Sequence, residues 1–278
     1  NKLKTLEDNK EITAFVQTNM YSPRVLETFK ASDGQQLDIS ILKPMPFDST
    51  KQYPVIMEVY GGPEHQSVHN DFATNAWQQY MTQLGFVIVQ VNNRGSANYG
   101  SDFKKAVYGK LGYWECFDFA ETAKFMGRKK WVAADRIAIK GHSYGGFTSA
   151  YSVASYPDLF KAAIIAAPVT DWRIYDAVYT ERFMGVLPES KAAYDKSAVL
   201  PWVKNIKAKI LITHSTGDDN VHVRNTMQLL KTLIDLGKDA DLRLYQSGGH
   251  AIAYSFESQR LLQQQYMEFL QKHLQFQK

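Results

Sequence analysis

Two short runs, residues 25–30 and 36–42, alternate apolar and polar side chains, and Ser32-Asp33-Gly34 between them supplies hairpin turn chemistry. An antiparallel entry to a sheet is expected. Beyond residue 50 the pattern changes to short, nearly unbroken apolar runs at 54–60, 86–91, 136–140, 162–167, 209–214 and 242–245. Runs of this kind suit strands buried on both faces. They alternate with helix-length segments at 72–83, 115–126, 144–155, 223–236 and 256–274, with Gly85 and Gly237 placed to end two of them. This alternation predicts an α/β chain: a mostly parallel central sheet with helices on both faces. The stretch 171–199 breaks the rhythm with aromatics, charges and Pro188, and reads as an insertion above the sheet.

Composition narrows the picture. A chain of 278 residues with 45% hydrophobic content can bury one substantial core, so one main domain is expected. The net charge of +4 comes from scattered Lys and Arg, with no basic run longer than Arg128-Lys129-Lys130, which argues for solvated surface and against nucleic-acid binding. A lone cysteine, Cys116, excludes an internal disulfide framework and fits the buried face of an amphipathic segment, 114–126. The longest uncharged apolar run, 162–169, is far short of the roughly 20 residues a membrane-spanning helix requires. No signal peptide is visible. The chain starts at Asn1 with a polar stretch, 1–10, which reads as a cut through a longer protein, so targeting information is expected to lie elsewhere and the compartment stays open.

The chemistry gathers at the carboxyl ends of the expected strands. Gly141-His142-Ser143-Tyr144-Gly145-Gly146 is a G-x-S-x-G match between a strand and a helix, the context of a nucleophile elbow, and it points to the α/β-hydrolase fold. Such a turn holds the Ser143 oxygen above the sheet, where the Tyr144 backbone N–H can face a developing oxyanion. In this fold an acid and then a histidine follow the serine. The loop after 209–214 offers Asp218 and Asp219, of which one can orient a histidine; Asp218 is preferred. After the last strand, Gly248-Gly249-His250-Ala251 puts His250 on a flexible loop where it can act as base.

Six other histidines, at 65, 69, 142, 214, 222 and 273, read as surface or packing residues because none follows the acid on the loop after the last strand. No metal site is expected, since Gln66 stands between His65 and His69 where a zinc protease helix needs glutamate and no second cysteine exists. Gly61-Gly62 is too short for a phosphate loop, and no cofactor is expected. Tyr60, at the end of a central strand, can donate its hydroxyl to an oxyanion or serve as a buried structural tyrosine.

The chain resembles the catalytic domain of the prolyl oligopeptidase family, most closely its dipeptidyl peptidase IV branch. The similar segments are Glu58-Val59-Tyr60-Gly61-Gly62-Pro63, Asn93-Arg94-Gly95-Ser96 with Tyr99-Gly100, residues 141–146, Ala167-Pro168-Val169, 172–184, 217–222 and Gly249-His250. The most specific is the aromatic and charged run Tyr175 to Gly185, which general esterases do not need. The resemblance implies a triad of Ser143, Asp218 and His250 and an oxyanion hole of Tyr60 with the Tyr144 N–H. It also implies a small pocket for proline or alanine lined by Tyr144, Val169, Trp172, Tyr175, Tyr179 and Val221, with Asn220 near the substrate backbone.

Two departures matter. The family's N-terminal β-propeller, which in this branch carries the acidic residues that hold a substrate's free amine, is not in the sequence; residues 1–24 are expected to be the segment that connects to it and 25–278 the peptidase domain. The disulfide of secreted animal members is also missing, which fits a bacterial relative, periplasmic or cytoplasmic. The expectation is a serine peptidase acting on peptides after proline or alanine through an acyl-enzyme, with pairing of two copies as in relatives. Its rivals are an acylaminoacyl peptidase or carboxylesterase of the same fold and, from another class, a binding module without catalysis.

Overall fold

The computed structural model describes residues 3–73 and 75–274. Val25–Lys30 (β1) and Gln36–Leu42 (β2) form the expected antiparallel pair, with Val25 opposite Ile41. β2 then pairs antiparallel with Val87–Asn92 (β4), and every further neighbour is parallel: Tyr53–Val59 (β3), Val132–His142 (β5), Ala162–Ala166 (β6), Lys209–Ser215 (β7) and Asp241–Tyr245 (β8). The spatial order is β1-β2-β4-β3-β5-β6-β7-β8. The order reverses around β3 and β5, and open α/β sheets place their ligands beyond the carboxyl ends of strands at such a switch point.

Successive side chains of each central strand face opposite sides of the sheet, so a run of apolar residues is buried twice over. Val55 and Met57 of β3 join Ile137 and Ile139 of β5 in one core, while Ile56 and Ala138 between them join the other. Tyr113–Gly127 (α4), Tyr144–Ser155 (α5) and Arg224–Asp235 (α8) cover the first face. Ala76–Gln83 (α2) and Phe256–Leu274 (α9) cover the second, through Met81, Leu262, Phe269 and Leu270. Removing one such side chain, for instance Ile56→Ala, is expected to cost about 2–5 kcal/mol.

Several elements differ from the sequence reading. The helix expected over 72–83 begins at Ala76, because the Asn75 side chain accepts the Gln78 N–H at 3.1 Å and caps it there; residue 74 of the expected span lies outside the described residues. α4 starts at Tyr113 because Gly112 takes φ 88°, a left-handed value natural to glycine. The segment is not one-sidedly amphipathic as expected: Glu115, Asp118 and Glu121 are buried along with Cys116 and Phe119. Asp118 is tolerated inside because Arg94 grips it, with N–H···O distances of 2.7 Å from the backbone and 2.5 Å from Nη2. Lys10–Thr18 (α1) is a helix that the polar opening did not announce, and it buries no side chain. A short helix, Ser101–Lys105 (α3), follows β4.

The insertion folds into a 3₁₀ turn, Trp172–Ile174, and two short helices, Ala177–Met184 (α6) and Lys191–Ser197 (α7). Asp171 accepts the Arg173 N–H and Asp176 the Tyr179 N–H, so each of the first two begins at an aspartate cap. Arg173 ties the start of the insertion to α7 through Asp195. Among the described residues no helix is long and apolar enough to cross a membrane.

Candidate active site

β5 ends at His142 and α5 begins at Tyr144, so Ser143 makes the turn alone, at φ 62° and ψ −118°. A non-glycine residue held there carries roughly 1–3 kcal/mol of strain, which the surroundings must offset. The Ser143 N–H donates to the Ala166 carbonyl at 2.9 Å, and the Ser143 carbonyl accepts the Phe147 N–H at 3.0 Å. The flanking glycines are a steric requirement. A Cβ on Gly141 would lie 2.3 Å from the Gly145 oxygen, and one on Gly145 would lie 2.4 Å from the Val59 oxygen.

The elbow is met by two loops from the right half of the sheet. The loop after β8 brings His250 Nε2 to 2.8 Å from Ser143 Oγ. The loop after β7 brings Asp218 Oδ2 to 2.8 Å from His250 Nδ1. With the proton on Nδ1 donated to Asp218, the Nε2 lone pair faces the serine hydroxyl. Asp219, the alternative acid, is exposed and makes no hydrogen bond to His250 among the described residues.

Asp218 is only 4% exposed. Burial works to raise its pKa, but the hydrogen bond and charge of His250, together with the Asn220 and Val221 N–H groups at 3.0 and 2.9 Å, outweigh burial and hold the carboxyl below its ordinary value. The acid therefore stays ionised through the neutral range. His214, fully buried, approaches the same oxygen at 3.2 Å. Its Nδ1 pairs with Thr226 Oγ1 and its Nε2 with the Val221 carbonyl, each at 2.8 Å. Burial lowers the His214 pKa, so it stands beside Asp218 as a neutral ring.

Tyr60 follows β3, its ring 5.9 Å from that of Tyr144 and 4.6 Å from that of His65. A Cβ on Gly62 would fall 2.5 Å from the Tyr60 ring, so the glycine lets that ring lie back across the turn. Burial raises the Tyr60 pKa, and its hydroxyl makes no hydrogen bond within the chain among the described residues. Among the described residues it is a protonated donor without a partner. The Tyr144 N–H is the first of α5, where backbone donors have no partner inside the helix.

Next to Tyr144 the insertion builds an aromatic box. The Trp172 ring, 1% exposed, lies 5.3 Å from Tyr144, 5.8 Å edge-on to Tyr175 and 6.0 Å stacked on Tyr179. Val169 and Val221 are buried in the same apolar core. Asn220 is exposed and accepts the Tyr175 hydroxyl at 2.9 Å. The structure thus brings together the elbow, the two loops, Tyr60 and the box at one edge of the sheet. No cluster of three or more His, Cys, Asp or Glu able to hold a metal ion is found among the described residues.

The sequence model of the prolyl oligopeptidase family matches residues 72–277. The chain belongs to the prolyl oligopeptidase family. It is 37% identical over 245 residues to a "Probable dipeptidyl-aminopeptidase B" of Coccidioides posadasii, covering 85% of this chain and 26% of that protein. It is 36% identical over 263 residues to the protein of the same name in Arthroderma gypseum, covering 92% and 29%. The crystal structure of Porphyromonas gingivalis dipeptidyl peptidase 4 superposes with a TM-score of 0.92 at 35% identity, covering 98% of this chain and 38% of that one. The chain therefore spans roughly a quarter to two fifths of the length of these relatives. Membership and the shared fold make it a serine hydrolase of the α/β-hydrolase type.

Family resemblance does not by itself reveal every group that touches the site. Two histidines that read from sequence as packing or surface residues reach it: His214 beside Asp218, and His142, whose Nε2 lies 2.7 Å from the His250 carbonyl and ties down that loop. Glu115 lies beneath Tyr144, whose hydroxyl donates to it at 2.6 Å. In the sequence its place three residues after Gly112 matches a helix-capping glutamate, which conceals the second contact. Glu58, behind the elbow, is held by Lys140 at 2.8 Å, Gln78 at 2.7 Å and Trp77 at 3.1 Å.

Proposed function

We propose that this chain is the catalytic domain of a peptidase that cleaves after proline or alanine through an acyl-enzyme. The observation that carries the reading is the unbroken hydrogen-bond line Ser143–His250–Asp218, 2.8 Å at each step, opening beside the Trp172 box. In the proposed reaction His250 takes the Ser143 proton as the oxygen attacks the scissile carbonyl carbon. Asp218 keeps the imidazole in the tautomer that accepts it and stabilises the imidazolium. Tyr60 and the Tyr144 N–H stabilise the oxyanion; His250 then protonates the leaving amine, and water hydrolyses the acyl-serine with the same groups.

A flat apolar proline ring suits an enclosure of Tyr144, Trp172, Tyr175 and Tyr179, with Val169 and Val221 closing it and Asn220 at the substrate backbone. Removal of dipeptides rests on the names of the relatives and on amine recognition by a propeller-type domain joined through residues 1–24, with 25–278 as the peptidase unit. Leu244 on the edge strand β8 and Phe256 and Leu261 on α9 are exposed, which supports pairing of two copies there.

The test uses the intact protein with Gly-Pro, Gly-Ala and Gly-Phe amides carrying one chromogenic leaving group. Proline should be turned over at least tenfold more efficiently than phenylalanine, with the dipeptide as product. Equal turnover of all three would overturn the pocket assignment. Tyr60→Phe should reduce kcat by about 100- to 1000-fold without altering Tm, and a fully active variant would remove Tyr60 from the oxyanion hole.

A further inference from the structure

We propose that Glu115 is a positioning residue for the reaction: from below, it fixes the Tyr144 ring and so sets the wall between the nucleophile and the proline pocket. This deepens the proposed function and rests on it. Glu115 is 0% exposed at the start of α4. One carboxyl oxygen accepts the Tyr144 hydroxyl at 2.6 Å and the other accepts the Gly112 N–H at 3.1 Å.

Tyr144 occupies the residue after the nucleophile, and its ring touches Tyr60, Phe147 and Trp172 at centroid distances of 5.9, 5.3 and 5.3 Å. A small swing of this ring would therefore alter both the box and the surroundings of the oxyanion donor. The turn after Tyr60 passes close by: a Cβ built on Gly61 would lie 3.1 Å from Phe119, 3.3 Å from Thr148 and 3.5 Å from the Glu115 Cβ.

A carboxyl group is an unusual choice for a core. Capping α4 alone would not require its other oxygen to meet a phenol, and no Lys or Arg forms an ion pair with it among the described residues. Burial, reinforced by the charge of Asp118, raises its pKa to about 8 against the opposing hydrogen bonds of Tyr144 and Gly112. Burial thus favours the uncharged form of the acid, which would hold the phenol without adding negative charge behind the oxyanion. An ionised group in that place would oppose the reaction it helps to align.

The experiment is a double-mutant cycle in the intact protein with Glu115→Leu, Tyr144→Phe and the pair, accompanied by Glu115→Gln. Each variant is measured for Tm, for the rate of Ser143 labelling by a fluorophosphonate, and for kcat and KM on Gly-Pro and Gly-Ala amides. Glu115→Leu and Tyr144→Phe should each lower kcat/KM on the proline substrate by about 10- to 100-fold. The double variant should be no worse than the poorer single, and Glu115→Gln should stay near wild type.

Multiplying losses in the double variant, or a lowered Tm with unchanged kinetics in Glu115→Leu, would overturn the proposal. Should Glu115→Leu fail to fold, Tyr144→Phe and Glu115→Gln decide it: full activity in the first, or collapse of activity in the second at unchanged Tm, contradicts the role. A wild type that labels but shows no proline preference overturns the specificity reading instead, and the cycle is then read in the labelling rate.

Discussion

Asp218, on the loop after β7, and Glu115, at the start of α4, are two buried carboxyl groups pulled in opposite directions. Asp218 meets an imidazole that can carry a positive charge and two backbone N–H groups, and its pKa is lowered although it is only 4% exposed. Glu115 meets a neutral phenol and the N–H groups of Gly112 and of its own residue, and its pKa rises to about 8. Burial raises both. The deeper burial of Glu115 and the kind of donor, a phenol against an imidazole that can carry charge, decide which carboxyl carries charge at the site, so one acid can drive proton transfer while the other serves as a neutral brace.

Removing the charge of the first acid should have the largest effect. Asp218→Asn preserves shape but offers the imidazole a donor in place of an acceptor, favouring the wrong tautomer, and kcat should drop by about 10,000-fold. Stopped assays with a proline amide measure it; a drop of less than tenfold would show that Asp218 does not orient the base. A smaller effect should follow from weakening its support. His214→Phe deletes the polar ring 3.2 Å from Asp218 and its hydrogen bond to the Val221 carbonyl, and should lower kcat about tenfold while KM changes little. A loss confined to Tm would make His214 purely structural.

The second acid sharpens the contrast through stability. Because the folded Glu115 carboxyl binds its proton more tightly than the unfolded one, with a pKa of about 8 against an ordinary 4.5, the native state holds the extra proton between these values. Stability should therefore be greatest at the acid end of that window and decline as pH rises toward about 8. Asp118, raised to about 6 from 3.8, acts in the same direction, whereas Asp218 acts in the opposite one and is protective until pH falls through its lowered pKa. Urea midpoints from pH 5 to 8 should show a shallower decline in Glu115→Gln than in wild type. Identical slopes would mean that Glu115 is ionised in the folded protein at neutral pH.

The sheet was readable because Val, Ile and Ala runs such as 162–167 leave no other economical burial, and helices of ordinary length lie between them. The elbow was readable because Gly141 and Gly145 are forced by backbone contact, so the motif is a record of sterics. Asp218 and His250 followed from chain order in this fold. The short pieces were not readable: α6 and α7 are eight and seven residues long and hold their places through contacts with other segments, such as Tyr108 against Phe183 and Arg173 with Asp195.

The polar groups around the triad were hidden for a related reason. His214 meets Asp218, Val221 and Thr226, all nearby in sequence, but only the path of the loop makes them partners. Glu115 satisfies a local helix rule while its decisive contact lies 29 residues away. Resemblance to the family located the site, but it did not show which neighbouring acids are charged.

The whole account stands on Ser143 being the nucleophile that His250 and Asp218 activate. Intact-mass analysis after brief exposure of the intact protein to a fluorophosphonate tests this most directly. One adduct should form on wild type, map to Ser143, be absent from Ser143→Ala, and form far more slowly in His250→Ala. An adduct that persists in Ser143→Ala, or a wild type that never labels, would contradict it.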